Sequence, residues 1–267
     1  MNNDQAVRVD FDCEVATITL QRPHSLNALD FGAIESLRHA IDRAIAMPGA
    51  RAVVLRGEGR SFCGGGDVAA MDAHRGDQPA FIGRMIDSFH ASVMTLNRTE
   101  LPVIASVHGA VAGGGISLAL ACDLVLAARN TRFVTAYAQL GGSADGGLSF
   151  RLTQRVGASR AFELLTLHSS FTVEEAHALG FVNRIVDAER ADEEALAWAR
   201  RLAAMPRQSI AELKQLTAVQ ARDALQAHLD REKAAFVRCA ETEDFANRVA
   251  AFASRGNARP SAEPRHE

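Results

Sequence analysis

Four cysteines are all that this chain of 267 residues carries, and no two of them form a CxxC pair. Cys13, Cys63, Cys122 and Cys239 are dispersed, which argues against a disulfide framework and against thiolate metal spacing. No metal is expected. The longest apolar run, Gly113 to Ala128, is interrupted by Asp123 and is too short to span a bilayer. Met1-Asn2-Asn3-Asp4-Gln5 lacks the basic end and apolar run of a secretory signal. Basic residues are scattered and the formal net charge is -3, so nothing is suited to tracking phosphates and nucleic acid is not an expected partner. A soluble, cytoplasmic protein in a reducing compartment, with no membrane partner, is the expectation.

What is present is a core. Hydrophobic residues make up 48% of the chain, enough for one large domain or for one domain with a smaller appendage. Val7, Val9 and Phe11, then Val15 to Leu20, read as two short strands around Asp12-Cys13. Asp30 is a plausible N-cap for a helix to about Met47, with Ile34, Leu37, Ile41 and Ile45 on one face. Ala52–Leu55, Val103–Val107 and Leu124–Leu126 read as buried strands, and Phe81, Met85, Phe89, Val93 and Leu96 mark a long helix. From Gly157 onwards helices dominate: 160–167, 174–179, 191–205, 210–220, 222–237 and 243–254. The division expected is a core over 1–200, a helical region over 201–256 and a frayed tail over 257–267.

Three glycine clusters follow strands: Gly64-Gly65-Gly66, Gly113-Gly114-Gly115 and Gly141 to Gly147. GGGDVA formally matches a dinucleotide fingerprint, but no second strand ends in an acid about 20 residues on. GISLA (Gly115 to Ala119) resembles a nucleophile elbow, yet Ser117 falls inside the first turn of a helix rather than on a strand-end bend. The second cluster sits at a helix N-terminus, where unpaired amides favour negative charge. Two such amides converging on one point would stabilise an oxyanion or enolate. Close packing alone explains either cluster equally well when each is taken singly. Asp145, in LGGSADGG, is open to the same two readings, a turn aspartate or a base held in a pocket.

RPHSLNAL (Arg22 to Leu29), SFCGGGDVAAM (Ser61 to Met71), the stretch Pro102 to Ala128 and the stretch Thr131 to Leu164 resemble, in order, successive motifs of the crotonase, or enoyl-CoA hydratase/isomerase, superfamily. The resemblance covers roughly residues 5 to 255. It implies an α/β fold, a spiral of ββα units with a helical C-terminal segment, assembled as a homotrimer or homohexamer with the last helices, 201–256, involved in assembly. It implies an acyl-CoA partner and no cofactor beyond the coenzyme A of the substrate. It assigns the oxyanion-hole amides to Gly64 and Gly114, and places Arg22, Ala28, Gly66, Asp67, Tyr137 and His90 along the substrate. Asp67 and Asp123 read more readily as loop braces, His90 as a partly buried helix residue, and His108 as a strand-end residue.

Departures from the pattern bear on the chemistry. Where hydratases of the family carry two glutamates, this chain has Ser117 and Tyr137. Ser117 is too weakly acidic to replace a carboxylate, and a tyrosine near its ordinary pKa of ~10 is a poor neutral-pH base. Asp145 remains. In this respect the chain is similar to members resembling 1,2-epoxyphenylacetyl-CoA isomerase, which carry an acid at this turn. The first expectation is an isomerase in which Asp145 moves a proton from the γ- to the α-carbon of an enoyl thioester. Leu140, Leu148 and Tyr137 around it are expected to raise its pKa. The second is a hydratase, or a hydrolase like 4-chlorobenzoyl-CoA dehalogenase, with Asp145 activating water or attacking the substrate and His90 at the matching helix position. An aromatic content of 6% argues against the ring substitution that dehalogenation needs. The third is a non-catalytic acyl-CoA-binding protein.

Overall fold

Alternating apolar residues build β1 (Val7–Asp12), which pairs antiparallel with β2 (Val15–Leu20) in the register Val7↔Leu20. Cys13 and Glu14 between them take φ of 49° and 62°, the left-handed pair that closes a two-residue hairpin. The structure, a computed structural model, describes residues 6–257, apart from the side chains of 218–223 and 256–257. The expected tail lies outside the described residues beyond Asn257.

β2 is buried along its whole length because β3 (Ala52–Gly57) pairs with it on the other side, in parallel. β4 (Val103–Val107), β6 (Leu124–Ala128) and β9 (Arg184–Val186) extend this parallel sheet, giving the order β1-β2-β3-β4-β6-β9. A second sheet of three short strands stands beside it: β5 (Ala110–Ala112), β7 (Arg132–Val134) and β8 (Ser170–Thr172). The second sheet and β9 are absent from the sequence reading, because three-residue strands are too short for periodicity to register.

Helices cover both faces of the main sheet. Asp30 caps α1 (Phe31–Ile45) as expected, its carboxylate accepting the Ala33 amide at 2.7 Å. With α3 (Gln78–Arg98) and α4 (Gly114–Ala121), α1 packs on the face that carries Val53 and Leu55. On the opposite face Val54, Ile104 and Leu126 meet the alanine stripe Ala195-Ala199-Ala203 of α7 (Ala191–Ala203). A short α2 (Val68–Ala73), unforeseen in the sequence, follows the first glycine cluster and is capped by Asp67. α5 (Leu148–Thr166) bends at Gly157, where φ is 78°, and α6 (Val173–Ala178) opens on a Thr172/Glu175 capping box.

The stretches 210–220 and 222–237, expected as two helices, form one: α8 (Arg207–Ala240) runs for 34 residues without a break. No glycine or proline interrupts it, and breaks in an apolar stripe do not stop a helix that packs on neighbours along its length. α9 (Glu243–Asn257) then turns back over α2 and the 140–142 turn. Among the described residues no helix is long and apolar enough to cross a membrane.

Candidate active site

The RPHSLNAL segment owes its shape to one buried side chain. Leu26 and Asn27 both have φ of 56°, and Asn27 stabilises that bend by accepting the Arg22 amide at 2.8 Å. Its Nδ2 donates to the carbonyls of Glu58 at 2.9 Å and Ser61 at 2.8 Å, fastening the loop to the one that leads into the first glycine cluster. That cluster then packs edge-on against the second. A Cβ on Gly65, where φ is 85°, would lie 2.6 Å from the Ala112 carbonyl, and one on Gly115 would run into the Cys63 carbonyl. For these two glycines the packing explanation holds.

Gly114 is different. It is the first residue of α4, and its amide has no acceptor among the described residues. A Cβ here would meet the Phe89 ring at an ordinary 3.7 Å, so no steric demand accounts for the glycine. Gly64, the other expected oxyanion donor, differs from the expectation: its amide already donates to the Leu26 carbonyl at 2.8 Å. It would have to exchange that partner before holding a thioester oxygen. The cause is the left-handed bend at Leu26-Asn27, which turns the Leu26 carbonyl toward the cluster.

Asp145 faces the same cavity as Gly114. Tyr137 donates its hydroxyl to Asp145 Oδ1 at 2.6 Å, and Ser117 Oγ donates to the Asp145 carbonyl at 2.8 Å. Ser117 and Tyr137 oxygens are themselves 3.3 Å apart, so the three residues form one connected group. Burial pushes the Asp145 carboxyl up to about 7, against the Tyr137 hydrogen bond and with the Glu232 carboxylate adding to the rise. Burial, followed by the Asp145 charge, holds the Tyr137 phenol well above its ordinary value, so Tyr137 stays protonated and acts as a donor. The turn itself demands glycine: Gly146 has φ of 62°, and a Cβ there would come within 2.5 Å of Phe89 and 2.7 Å of Ser117.

Two expected substrate contacts lie elsewhere. His90 is buried, and its Nε2 accepts the Gly146 amide at 3.0 Å. Its neighbour Phe89 takes the cavity wall, and a rotation of about 100° per helical residue turns His90 into the protein. Burial lowers its pKa to about 4, so it is a neutral acceptor. Arg22 does not line the cavity either. It donates to the Ala28 carbonyl at 2.5 Å and forms ion pairs with Asp30 at 2.8 Å and Asp67 at 3.4 Å, joining the caps of two helices. Ala28, Gly66, Asp67 and Tyr137 do line it. His108 donates its Nε2 hydrogen to the Gly59 carbonyl, 2.8 Å away at the rim of its strand, and Asp123 braces the Val103 amide at 2.7 Å.

The cavity has a volume of about 360 Å³. One wall is α3, with Ile82, Met85, Ile86 and Phe89; opposite stand Leu140, Phe236 and, from α9, Phe245 and Phe252. Apart from Tyr137, Asp145, Ser25 and Asp67, its side chains are apolar. Among the described residues no group of three or more His, Cys, Asp or Glu could hold a metal.

The profile of the Enoyl-CoA hydratase/isomerase family matches residues 10–260. The chain belongs to this family. A 1,2-epoxyphenylacetyl-CoA isomerase of Escherichia coli is 31% identical over 239 residues, covering 89% of this chain and 91% of the relative. A Mycobacterium bovis protein named as a probable enoyl-CoA hydratase is 35% identical over 249 residues, 90% of this chain and 87% of the relative. A crystal structure of an enoyl-CoA hydratase from Mycobacterium avium subsp. paratuberculosis superposes with a TM-score of 0.84 at 28% identity, covering 94% of this chain and 100% of that one. The crotonase-type fold follows from these matches.

Within this enoyl-CoA hydratase/isomerase family member, sequence reasoning missed one buried acid near Asp145. Glu232 of α8 accepts the Gly147 amide at 2.6 Å and the Ser149 amide at 3.1 Å. A partner 85 positions away whose bonds run mainly to backbone amides leaves no local motif to find.

Proposed function

We propose that this family member is an acyl-CoA isomerase that shifts the double bond of an enoyl thioester, with Asp145 as its single acid–base group. The observation that carries the reading is the Asp145 carboxyl itself: raised to about 7, held at one oxygen by Tyr137, and facing an apolar cavity that the Gly114 amide also reaches. A group with that pKa can take a proton from one carbon and return it to another without a second acid. Ser117 and Tyr137 supply hydrogen bonds to Asp145 rather than a second carboxylate, which disfavours two-acid hydration.

In the reaction, the thioester oxygen accepts from the Gly114 amide and negative charge builds there as Asp145 Oδ2 removes the γ-proton. One such donor contributes roughly 3–4 kcal/mol to the enolate-like transition state. Gly64 adds a second donor when the substrate oxygen displaces the Leu26 carbonyl. Protonated Asp145, stabilised by its apolar surroundings, then delivers the proton to the α-carbon. The coenzyme A of the substrate is the sole cofactor in this reading, and a homotrimer or homohexamer is its expected assembly, read by sedimentation.

The hydratase names among the relatives favour a second reading, addition of water to a 2-enoyl-CoA. Incubating the protein with 3-enoyl-CoA and with 2-enoyl-CoA in deuterated water separates the two. Label at the α- and γ-carbons without 3-hydroxyacyl product supports the isomerase. Hydration with no double-bond shift refutes it.

A further inference from the structure

The turn that presents Asp145 is gripped from behind by two helices distant in sequence. From α3, His90 Nε2 accepts the Gly146 amide at 3.0 Å. From α8, Glu232 accepts the Gly147 amide at 2.6 Å with one oxygen; its other oxygen takes the Ser149 amide at 3.1 Å and the Ser149 hydroxyl at 2.5 Å. His228, one turn earlier on α8, lies 2.7 Å from the same hydroxyl. Both gripping residues are more than nine-tenths buried, His90 at 6% exposure and Glu232 at 5%, and neither lines the cavity. The amides they take belong to the start of α5, where no preceding side chain caps the helix. A carboxylate supplied from another helix does that work at the helix's positive end.

Resting on the reading of Asp145 as the base, we infer that Glu232 and His90 are positioning residues, which fix the Asp145 carboxyl in the cavity by holding the backbone amides that follow it. Two consecutive left-handed glycines, at φ of 62° and 80°, give this turn no intrinsic preference for one conformation. The observed one persists because Gly146 and Gly147 are each bonded to an immobile buried acceptor. Tyr137 then clamps Oδ1 from the front, leaving Oδ2 for the substrate. An apolar residue in place of Glu232 would leave the buried Gly147 amide and the half-buried Ser149 amide without this acceptor, a strong reason for an acid at that depth.

Glu232 also acts through its charge. The groups that face Asp145 are Tyr137 from the preceding turn and Glu232 from α8. Around His90 stand Asp87 on its own helix, and Asp230 and Lys233 on α8. Around Glu232 stand His228 on its own helix and Arg151 from α5. Neutralising Glu232 therefore lowers the pH at which Asp145 ionises, whereas a purely architectural acid would leave that pH unchanged.

Tyr137 is the chain's one tyrosine, so a carbon-13 label at tyrosine Cζ gives a single resonance that reports Asp145 through their hydrogen bond. In the full-length protein, Glu232→Gln and His90→Gln keep an acceptor and the side-chain bulk, and acyl-CoA binding checks that each remains folded. The expected result is a kcat lower by roughly 10- to 100-fold with KM changed far less. For Glu232→Gln the Tyr137 titration midpoint also moves to lower pH, and Glu232→Asp recovers part of both effects. Wild-type kcat with an unmoved midpoint overturns the inference, and so does a loss of kcat and KM together with the midpoint unmoved. Failure of the base assignment looks different: Asp145→Asn would keep its turnover, while the Tyr137 midpoint would still follow Glu232.

Discussion

An aspartate that ionises at about 7 leaves two separate marks on the protein, one on rate and one on stability. As a base it works only when deprotonated, so kcat/KM rises with pH up to about 7 and levels off above it. Between the ordinary carboxylate value and about 7, the folded chain holds a proton that the unfolded chain has released. Folding stability contributed by this group therefore falls as pH rises through that window. Asp145→Asn cannot ionise and removes the slope. It is expected to abolish turnover, and to be stabilising relative to wild type at pH 8 but not near pH 4. Urea unfolding of both proteins at the two pH values checks this. His90, held neutral down to about 4, has the opposite slope, and comparing variant with wild type at each pH cancels it. Gly114 is tested by its hydrogen rather than its size. Gly114→Ala keeps the amide and adds a Cβ that meets Phe89 at 3.7 Å, so activity should change little. Gly114→Pro removes the donor at a helix position that tolerates proline, and kcat should fall by roughly 100- to 1,000-fold. Equal activity of the two would remove Gly114 from the oxyanion hole.

At the level of elements, the site is a set of chain reversals held at fixed separations. Asp30, Asp67 and Thr172 each cap the helix they precede, and their positions before apolar runs made the first of these readable directly. The start of α5 was not readable in that way, because its cap comes from α8 and the preceding positions are glycine. Gly146 is where this element is least tolerant of change. Gly146→Ala places a Cβ at φ of 62°, within 2.5 Å of Phe89 and 2.7 Å of Ser117, both in packed helices. Either the turn or α4 must move, at a cost of about 1–3 kcal/mol. The displaced carboxyl should lose its bond to Tyr137, which the tyrosine Cζ resonance reads, and kcat should fall with it. Gly157→Ala is the control: φ there is 78° but the space around it is open, so it should cost some stability and leave kcat intact.

For the molecule as a whole, what the sequence disclosed divides by distance. Strands β2, β3, β4 and β6 and helices α1 and α3 were legible because each carries its own apolar periodicity. Asp145 stood out because glycines flank it and the two neighbouring acid positions are filled by Ser117 and Tyr137. The three-residue strands, the unbroken α8 and the inward turn of His90 are set by partners far along the chain, and no local pattern encodes them. The C-terminal helices, to which the resemblance assigns a part in assembly, also complete the chain's own cavity: Phe236 of α8 and Phe245 of α9 pack edge to face at 5.9 Å, and Phe236 reaches the Tyr137 ring at 6.3 Å. Gly141 and Gly142 make this possible, since a Cβ on Gly142 would press to 3.1 Å from Phe236. Phe245 is 1% exposed and joins α9 to the 140–142 turn. Phe245→Ala should therefore cost about 3–5 kcal/mol in urea unfolding, the range for deleting a buried ring. Because the same ring lines the cavity, KM for acyl-CoA should rise in proportion as α9 loosens, while the pH dependence of kcat stays near wild type. Hydrogen exchange confined to α9 and the 140–142 turn would locate the loss there. Uniformly faster exchange would instead mean that α9 supports the whole core rather than closing the site.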